Sequence, residues 1–323
     1  MRLSNDVYGN HVVNDSILVT LIDSDIVQRL KHVRQAGAKF LVNTNRNGTR
    51  YEHSEGVMLL IRRIGGNLEE QIAGLLHDIS HTAFSHTVDM LLNIRNENYH
   101  ELVKNQIIDR FNIRKYFSGT SYDVDYILNE ENFQILEQPQ PNLCADRIDY
   151  TIRDLKKLDR INQSEIENFL NSLIIYENQI GISCIEQAEW FCIQFHNLVK
   201  DVYMDPTENY YSYKFTRILN YALEINCISM DDIIFGTDDK LLEIVYSNKD
   251  SELKELLFAF ENKSKAIIDK NNYDVVIKPK ARVIDPLLVL NNQTSRLSEH
   301  SSVVTELSAQ IEQIANEGLF LRV

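Results

Sequence analysis

The chain has few of the residues that break or staple a fold. Of its 323 residues only 11 are glycine, five proline and four cysteine. Cys144, Cys184, Cys192 and Cys227 form no CxxC pair and no disulfide-like framework, so a thiolate zinc knot and a stapled secreted fold are both disfavoured. Free buried thiols in a reducing compartment are the expectation. No apolar run reaches the ~20 residues of a membrane span, and no apolar leader follows Arg2, so a cytoplasmic chain is expected. Positive charge is scarce as well: 33 Lys and Arg face 47 Asp and Glu, a net charge of −14, which argues against dedicated nucleic-acid binding. A small anionic ligand stays compatible, because a metal and a few local cations override the global field.

What remains reads as a mostly α-helical globular protein. A weak alternation over residues 12–22 predicts a short hairpin. A helix is expected from Asp25 to Ala36, stopped by Gly37, and another from His53 to Ile64. Asn67 is placed to cap the next helix, and Asn98 with Glu101 reads as a capping box. Residues 118–142 lack a pattern, and 143–158 return to helix. Ile185, Ala188, Cys192, Phe195, Val199 and Val202 form one long core-facing stripe, and a further helix follows Asp205-Pro206 to Ile225. Past residue 226 come short helices near 241–245 and 253–260. Short strands are expected at 273–277 and 282–284, then a last helix ending at Gly318. The division is a core over 1–226 and a smaller α+β region over 227–323 packed on it, with a soft boundary.

Against this background the histidines stand out. His53 follows Tyr51-Glu52, and His77-Asp78-Ile79-Ser80-His81-Thr82-Ala83-Phe84-Ser85-His86 closes an apolar helical run. With Asp146, the set His53, His77 and Asp78 offers imidazole and carboxylate donors. Those suit one divalent ion of intermediate hardness: Mg, Mn, Fe or Zn, among which the residues do not choose. Four donors leave open positions for water and a phosphate oxygen, the layout of metal-assisted phosphate-ester hydrolysis. A lone His-Asp pair is commonly a surface or capping feature. The ordered His before it and Asp after it give this one its weight.

The arrangement resembles the HD-domain phosphohydrolases, and within them the deoxynucleoside triphosphate triphosphohydrolases. Asn5-Asp6-Val7-Tyr8-Gly9, Gln28-Arg29-Leu30, Thr49 to Val57 and His77 to His86 are similar to that family's motifs in order, over most of residues 5–155. The resemblance implies a helical HD-domain fold, nucleotide substrates and a homo-oligomer. It also implies proton-transfer and phosphate roles for His81, His86, Asp89, His100 and Glu101. His100 is expected as the proton donor, oriented by Asp89 or Glu101. Asp149 and Tyr150 are expected near the sugar, with Arg153 and Tyr203 in the substrate pocket. Arg50, Arg147 and Lys156 are expected at the phosphates and Gln35 at a base edge. Asp23, Gln28 and Lys31 match positions that hold an activating nucleotide in some relatives. Each has a plainer reading: Glu101 as a capping partner, His81 as a support to the metal ligands, Asp89 and Lys156 as solvated surface. Ser80, Ala83 and Ala36 depart from the motifs, and Asp205 stands where His is usual; a carboxylate near a triphosphate would repel it, which implies a different substrate or a side chain pointing away. The rival activities are hydrolysis of a monophosphate, cyclic nucleotide or alarmone, or nucleotide sensing with little turnover.

Overall fold

The structure, a computed structural model, describes residues 1–94 and 96–323. It opens with a hairpin of β1 (Arg2–Asn5) and β2 (Gly9–Val12). Helices α1 (Ser16–Ile22), α2 (Asp25–Arg29), α3 (Arg50–Ile64), α4 (Leu68–Leu76), α5 (His86–Leu91), α6 (Tyr99–Phe111), α7 (Val124–Leu128), α8 (Ala145–Lys157) and α9 (Gln163–Leu170) follow. Strands β3 (Leu173–Tyr176) and β4 (Gln179–Ile182) then lead to α10 (Ile185–Leu198) and α11 (Pro206–Glu224). The tail comprises α12 (Met230–Phe235), α13 (Asp238–Ser247), α14 (Ser251–Glu261), β5 (Ile267–Ile268), β6 (Val275–Ile277), β7 (Leu287–Leu290), β8 (Gln293–Arg296), α15 (Ser302–Glu317) and β9 (Leu319–Arg322). Helix dominates, as the sequence pattern requires.

The helices around the site form for local reasons. Thr49 and Glu52 close a capping box at the start of α3, and Gly65 ends it in the left-handed region at φ 95°. Asn67 and Glu70 do the same for α4. Between these ends Val57, Leu60 and Ile61 of α3 and Ile72, Leu75 and Leu76 of α4 are buried in the common core. The same α3 packs against α8, while α5 lies on α11. Gly56 permits the α3–α8 approach: a Cβ there would collide with the Arg153 guanidinium and the Asp149 carboxylate.

Several expectations are corrected. The hairpin lies at residues 2–12, and Ser16–Ile22 is helix because Ile17, Leu18, Leu21 and Ile22 repeat at helical spacing. The helix from Asp25 stops at Arg29. A 3-10 turn follows, and Val33 is extended so that Arg34 bridges to Thr49. Gly37, at φ 55°, sits against the Phe84 carbonyl and Thr87, a close approach that a side chain would block. Asn98 makes no side-chain cap, so Glu101 is free for another partner. The stripe from Ile185 does not stay α-helical: Val199–Tyr203 is a π-helical turn. No strand forms at 282–284; β7 and β8 lie further on.

The tail is woven into the earlier chain. Four strands run in the order β3-β4-β7-β8, with β4 parallel to β7 through Gly181–Leu287 and Ile182–Leu288. A second sheet runs β5-β9-β6. Ala83 N–H donates to Ile233 O at 3.0 Å. Arg29 donates to Gly236 O at 2.9 Å, and the buried Asp238 accepts from the N–H groups of Phe84 at 2.6 Å and Arg34 at 2.8 Å. Between β6 and β7 the irregular segment 278–286 forms a strap. It is tied down by Val283 N–H to Gln140 Oε1 at 2.9 Å, Asp285 N–H to Pro141 O at 2.9 Å and Arg282 to Glu97 at 2.6 Å.

Candidate metal centre and active site

His53 comes from the first turn of α3, His77 from the end of α4, Asp78 from the turn after it and Asp146 from the first turn of α8. Nδ1 of His77 lies 2.8 Å from Gly74 O, and Nδ1 of His53 lies 2.7 Å from Asp149 Oδ2. Carbonyl and carboxylate oxygens only accept, so both rings donate through Nδ1 and turn Nε2 towards the centre, where an ion would take the place of any proton. The two Nε2 atoms are 3.2 Å apart, and Asp146 Oδ1 lies 2.8 Å from that of His53 and 3.6 Å from that of His77. Metal–ligand bonds of ~2.1 Å put neighbouring donors about 3 Å apart, so three lone pairs already converge as an ion requires. Asp78 borders them at 3.6 Å from His77 and 3.8 Å from His53. The donor set fits a divalent cation.

The electrostatics agree. Burial opposes a charge on His77, yet Asp78 and Asp146 overcome it and lift the imidazole to about 10. His53 is also raised against its burial by Asp146 and Asp149. Asp78 is held at about 2, burial being outweighed by Arg50 and the two imidazoles. Protons and a metal therefore compete for the same atoms. Cys144 also lies near Asp146 and Glu137. Burial pushes its thiol up and so disfavours a thiolate ligand.

The centre opens into a cavity of about 1040 Å³, lined among others by His81, His86, His100, Gln35, Tyr150 and Tyr203. Three imidazoles cluster beside the metal ligands. His81 stacks on His100 with centroids 4.0 Å apart and meets His86 edge-on at 5.1 Å. His86 Nδ1 is 3.0 Å from Asp89, which also accepts from the Tyr99 N–H at 2.9 Å. Asp89 thus orients His86, not His100. The partner of His100 is Glu101, at 3.2 Å. Burial pulls His86 down despite Asp89, and burial with the nearby Arg50 pulls His81 further, so both rings are neutral near pH 7.

The other expected residues divide. Arg50 lines the cavity but gives its guanidinium to Asp78 at 2.7 Å and Ser85 at 2.8 Å. Arg147 reaches the cavity wall, with donors committed to the Asn142 and Gln138 carbonyls. Tyr203 donates to Asp154 at 2.9 Å, with its ring 6.4 Å from that of Tyr150. Asp149 and Arg153 are corrections. They form a buried pair at 2.8 Å beneath α3, and Asp149 orients His53 instead of facing a sugar. Lys156 is another, bonding to Asp6 O and to Gln163 away from the cavity lining. Asp205 caps α11 through the Glu208 N–H at 2.8 Å, so it is not among the residues facing the cavity. Gln28 donates to Ile22 O and Lys31 lies over the Tyr51 ring, both outside the cavity.

Sequence reasoning missed Lys39, Glu97, Lys278, Lys280 and Arg282, all in the lining. The available signal was three cations within five residues of an acidic chain, Lys278-Pro279-Lys280-Ala281-Arg282.

Comparison with known proteins places this geometry. The HD domain model matches residues 50–154, the span from Arg50 to Asp154 that holds all four proposed ligands. Over 174 residues the chain is 37% identical to a metal-dependent phosphohydrolase, cns2, of Cordyceps militaris, covering 53% of this chain and 50% of that one. A shorter stretch is 34% identical to the bovine deoxynucleoside triphosphate triphosphohydrolase SAMHD1, covering 28% of this chain and 18% of the other. Two solved structures share the fold. A hypothetical protein from Aquifex aeolicus has TM-score 0.73 and 20% identity, covering 94% of this chain and 93% of that one. A phosphohydrolase from Bacteroides thetaiotaomicron has TM-score 0.69 and 16% identity, with 96% of each covered. The uncharacterised protein YdhJ of Bacillus subtilis is 40% identical over 100% of this chain and 99% of its own length. With the HD domain model matched across its ligand set and YdhJ matched end to end, the chain is an HD-domain protein and belongs to the same family as YdhJ.

Proposed function

We propose that this protein hydrolyses deoxynucleoside triphosphates to deoxynucleoside and tripolyphosphate. The observation that carries the phosphohydrolase part is the convergence of the Nε2 atoms of His53 and His77 with Asp146 beside three further imidazoles. A divalent ion held there would supply Lewis acidity at the α-phosphoryl group and a more acidic water. In the reaction, water oxygen bonds to the α-phosphorus and the bond from phosphorus to the sugar 5′-oxygen breaks. The departing 5′-oxygen takes a proton.

The chain's own groups divide that work. His100, oriented by Glu101, gives the proton to the 5′-oxygen. His86 is kept neutral by burial and fixed by Asp89 at Nδ1, which leaves its Nε2 free to accept from water or to receive a donor. His81 links the Asp78 carboxylate, at 3.3 Å, to the imidazole stack. Tyr150 and Tyr203 offer aromatic faces for sugar and base, and Gln35 a polar edge. The likeness to the bovine triphosphohydrolase supports the triphosphate reading, as does a cavity large enough for a whole nucleotide.

The test is to incubate the protein with each dNTP, rNTP and dNMP under Mg or Mn and identify the product by 31P NMR. Tripolyphosphate from a dNTP is expected. Release of orthophosphate or pyrophosphate instead would replace this substrate reading with another phosphohydrolase activity.

A further inference from the structure

The cations around the cavity are not all accounted for. At the metal end Arg50 is matched by Asp78 at 2.7 Å and Lys104 by Glu130 at 2.6 Å. On the wall around the Glu97–Arg282 pair, among the described residues, the lining lysines Lys39, Lys278 and Lys280 have no carboxylate within 4 Å. Lys39 spends one of its three donors on the Tyr203 carbonyl at 3.0 Å. Arg282 is already balanced by Glu97 at 2.6 Å, so that pair contributes no surplus and serves as an anchor. Loop lysines are usually solvated and idle. Lys278 and Lys280 are exposed too, but their strap is fastened by Glu97, Gln140 and Pro141 and both residues border the cavity.

We propose that Lys278 and Lys280 of the strap, with Lys39 of the same cavity lining, bind the phosphate groups beyond the one at the metal centre and so select nucleotides carrying a phosphate chain over monophosphates. The inference rests on the function proposed above for its direction, with hydrolysis at the metal end and the chain of phosphates extending away. Charge balance gives the reason. A monophosphate places its one phosphoryl group, of about two negative charges at neutral pH, at the metal centre. Each additional phosphate needs a further cation, and among the described lysines that line the cavity Lys39, Lys278 and Lys280 are the ones without a carboxylate partner. Their situation favours an anion. Burial pulls Lys39 down to about 8, and burial with the neighbouring Arg282 lowers Lys280, so an incoming polyanion relieves both.

The experiment uses the full chain loaded with Mn, with inorganic tripolyphosphate and orthophosphate as titrants in calorimetry. Wild type is expected to bind tripolyphosphate more tightly than orthophosphate. Lys278→Ala with Lys280→Ala should weaken tripolyphosphate on the order of tenfold, the size of losing a charge-assisted contact, with a smaller change for orthophosphate. Lys278→Gln with Lys280→Gln keeps length and polarity while removing charge, and should show the same loss with an unchanged melting temperature. Lys254→Ala, on the exposed side of α14, is the control for general charge. Unaltered tripolyphosphate affinity in both double variants, or an equal loss in the control, would overturn the proposal. If the strap proves necessary for tripolyphosphate while wild type hydrolyses no dNTP, the substrate reading falls and the strap site stands.

Discussion

The two ends of the cavity are built by opposite means. At the metal end every ligand sits on or just past a helix and lies largely out of solvent, and three of the four are held by a second bond: Gly74 for His77, Asp149 for His53, Arg50 for Asp78. At the strap end the side chains are long, exposed lysines on irregular backbone without a paired charge. The difference follows from what each must do. Lone pairs that share one ion tolerate errors of only tenths of an ångström, which packed helices provide. A phosphate chain needs charge within reach, and Coulomb attraction falls off slowly enough for flexible lysines to serve.

The contrast can be broken most decisively at the ligands. His77→Ala with Asp78→Ala should abolish metal uptake, read by elemental analysis, and turnover together. The loss should exceed the ~10–100-fold that a merely supporting bond is worth. His100→Ala should leave the metal in place while kcat drops by roughly 10²–10⁴, the usual share of a positioned acid. Loss of metal in that variant would remove His100 from the proton-donor role. Asp149→Asn tests whether the second bond on His53 matters, and a metal affinity lower by about 10–100-fold is expected.

The pH dependence of metal uptake has a definite sign. His77 is raised to about 10, so below that pH binding must displace its proton. Affinity for Mn should therefore rise with pH across the neutral range, by up to about tenfold per unit for each proton released. A flat profile would place the ion on groups that need no deprotonation. The smallest effect concerns Asp205. If it is only the cap of α11, Asp205→Ala lowers stability by about 1 kcal/mol in denaturant melts and leaves KM for dNTP alone. A fall in KM would show that its charge does reach the substrate.

The metal end was legible in the sequence because its signals are local. Helical spacing fixed α3, α4 and α8, and the ordered His, His-Asp and Asp lie at their ends. The roles inside α8 were harder. Asp146, Asp149, Tyr150 and Arg153 share one helical stripe by spacing. Yet Gly56 opens a notch in α3 that draws Asp149 and Arg153 inward, and only Asp146 and Tyr150 reach the cavity. That outcome depends on a contact nearly a hundred residues away, at which the periodicity of α8 alone does not hint. The strap was illegible for the same reason. Lys278 and Lys280 read as ordinary loop charges until β6 and β7 join different sheets and stretch the segment between them across the cavity. Likewise the β4–β7 pairing is parallel and joins residues about a hundred apart, which no short window reveals.

Phe84 and Ser85 carry φ of 60° and 44° in the turn that delivers His86, a conformation side-chain-bearing residues rarely adopt. What clamps this turn is Asp238, which belongs to the tail. The recognisable motif is therefore portable as text but not as a physical module. A fragment ending near residue 226 would contain all the proposed ligands, yet it would release the bent turn and uncover the apolar faces of α10 and α11. Grafting this chemistry elsewhere means transplanting a distant carboxylate along with the histidines.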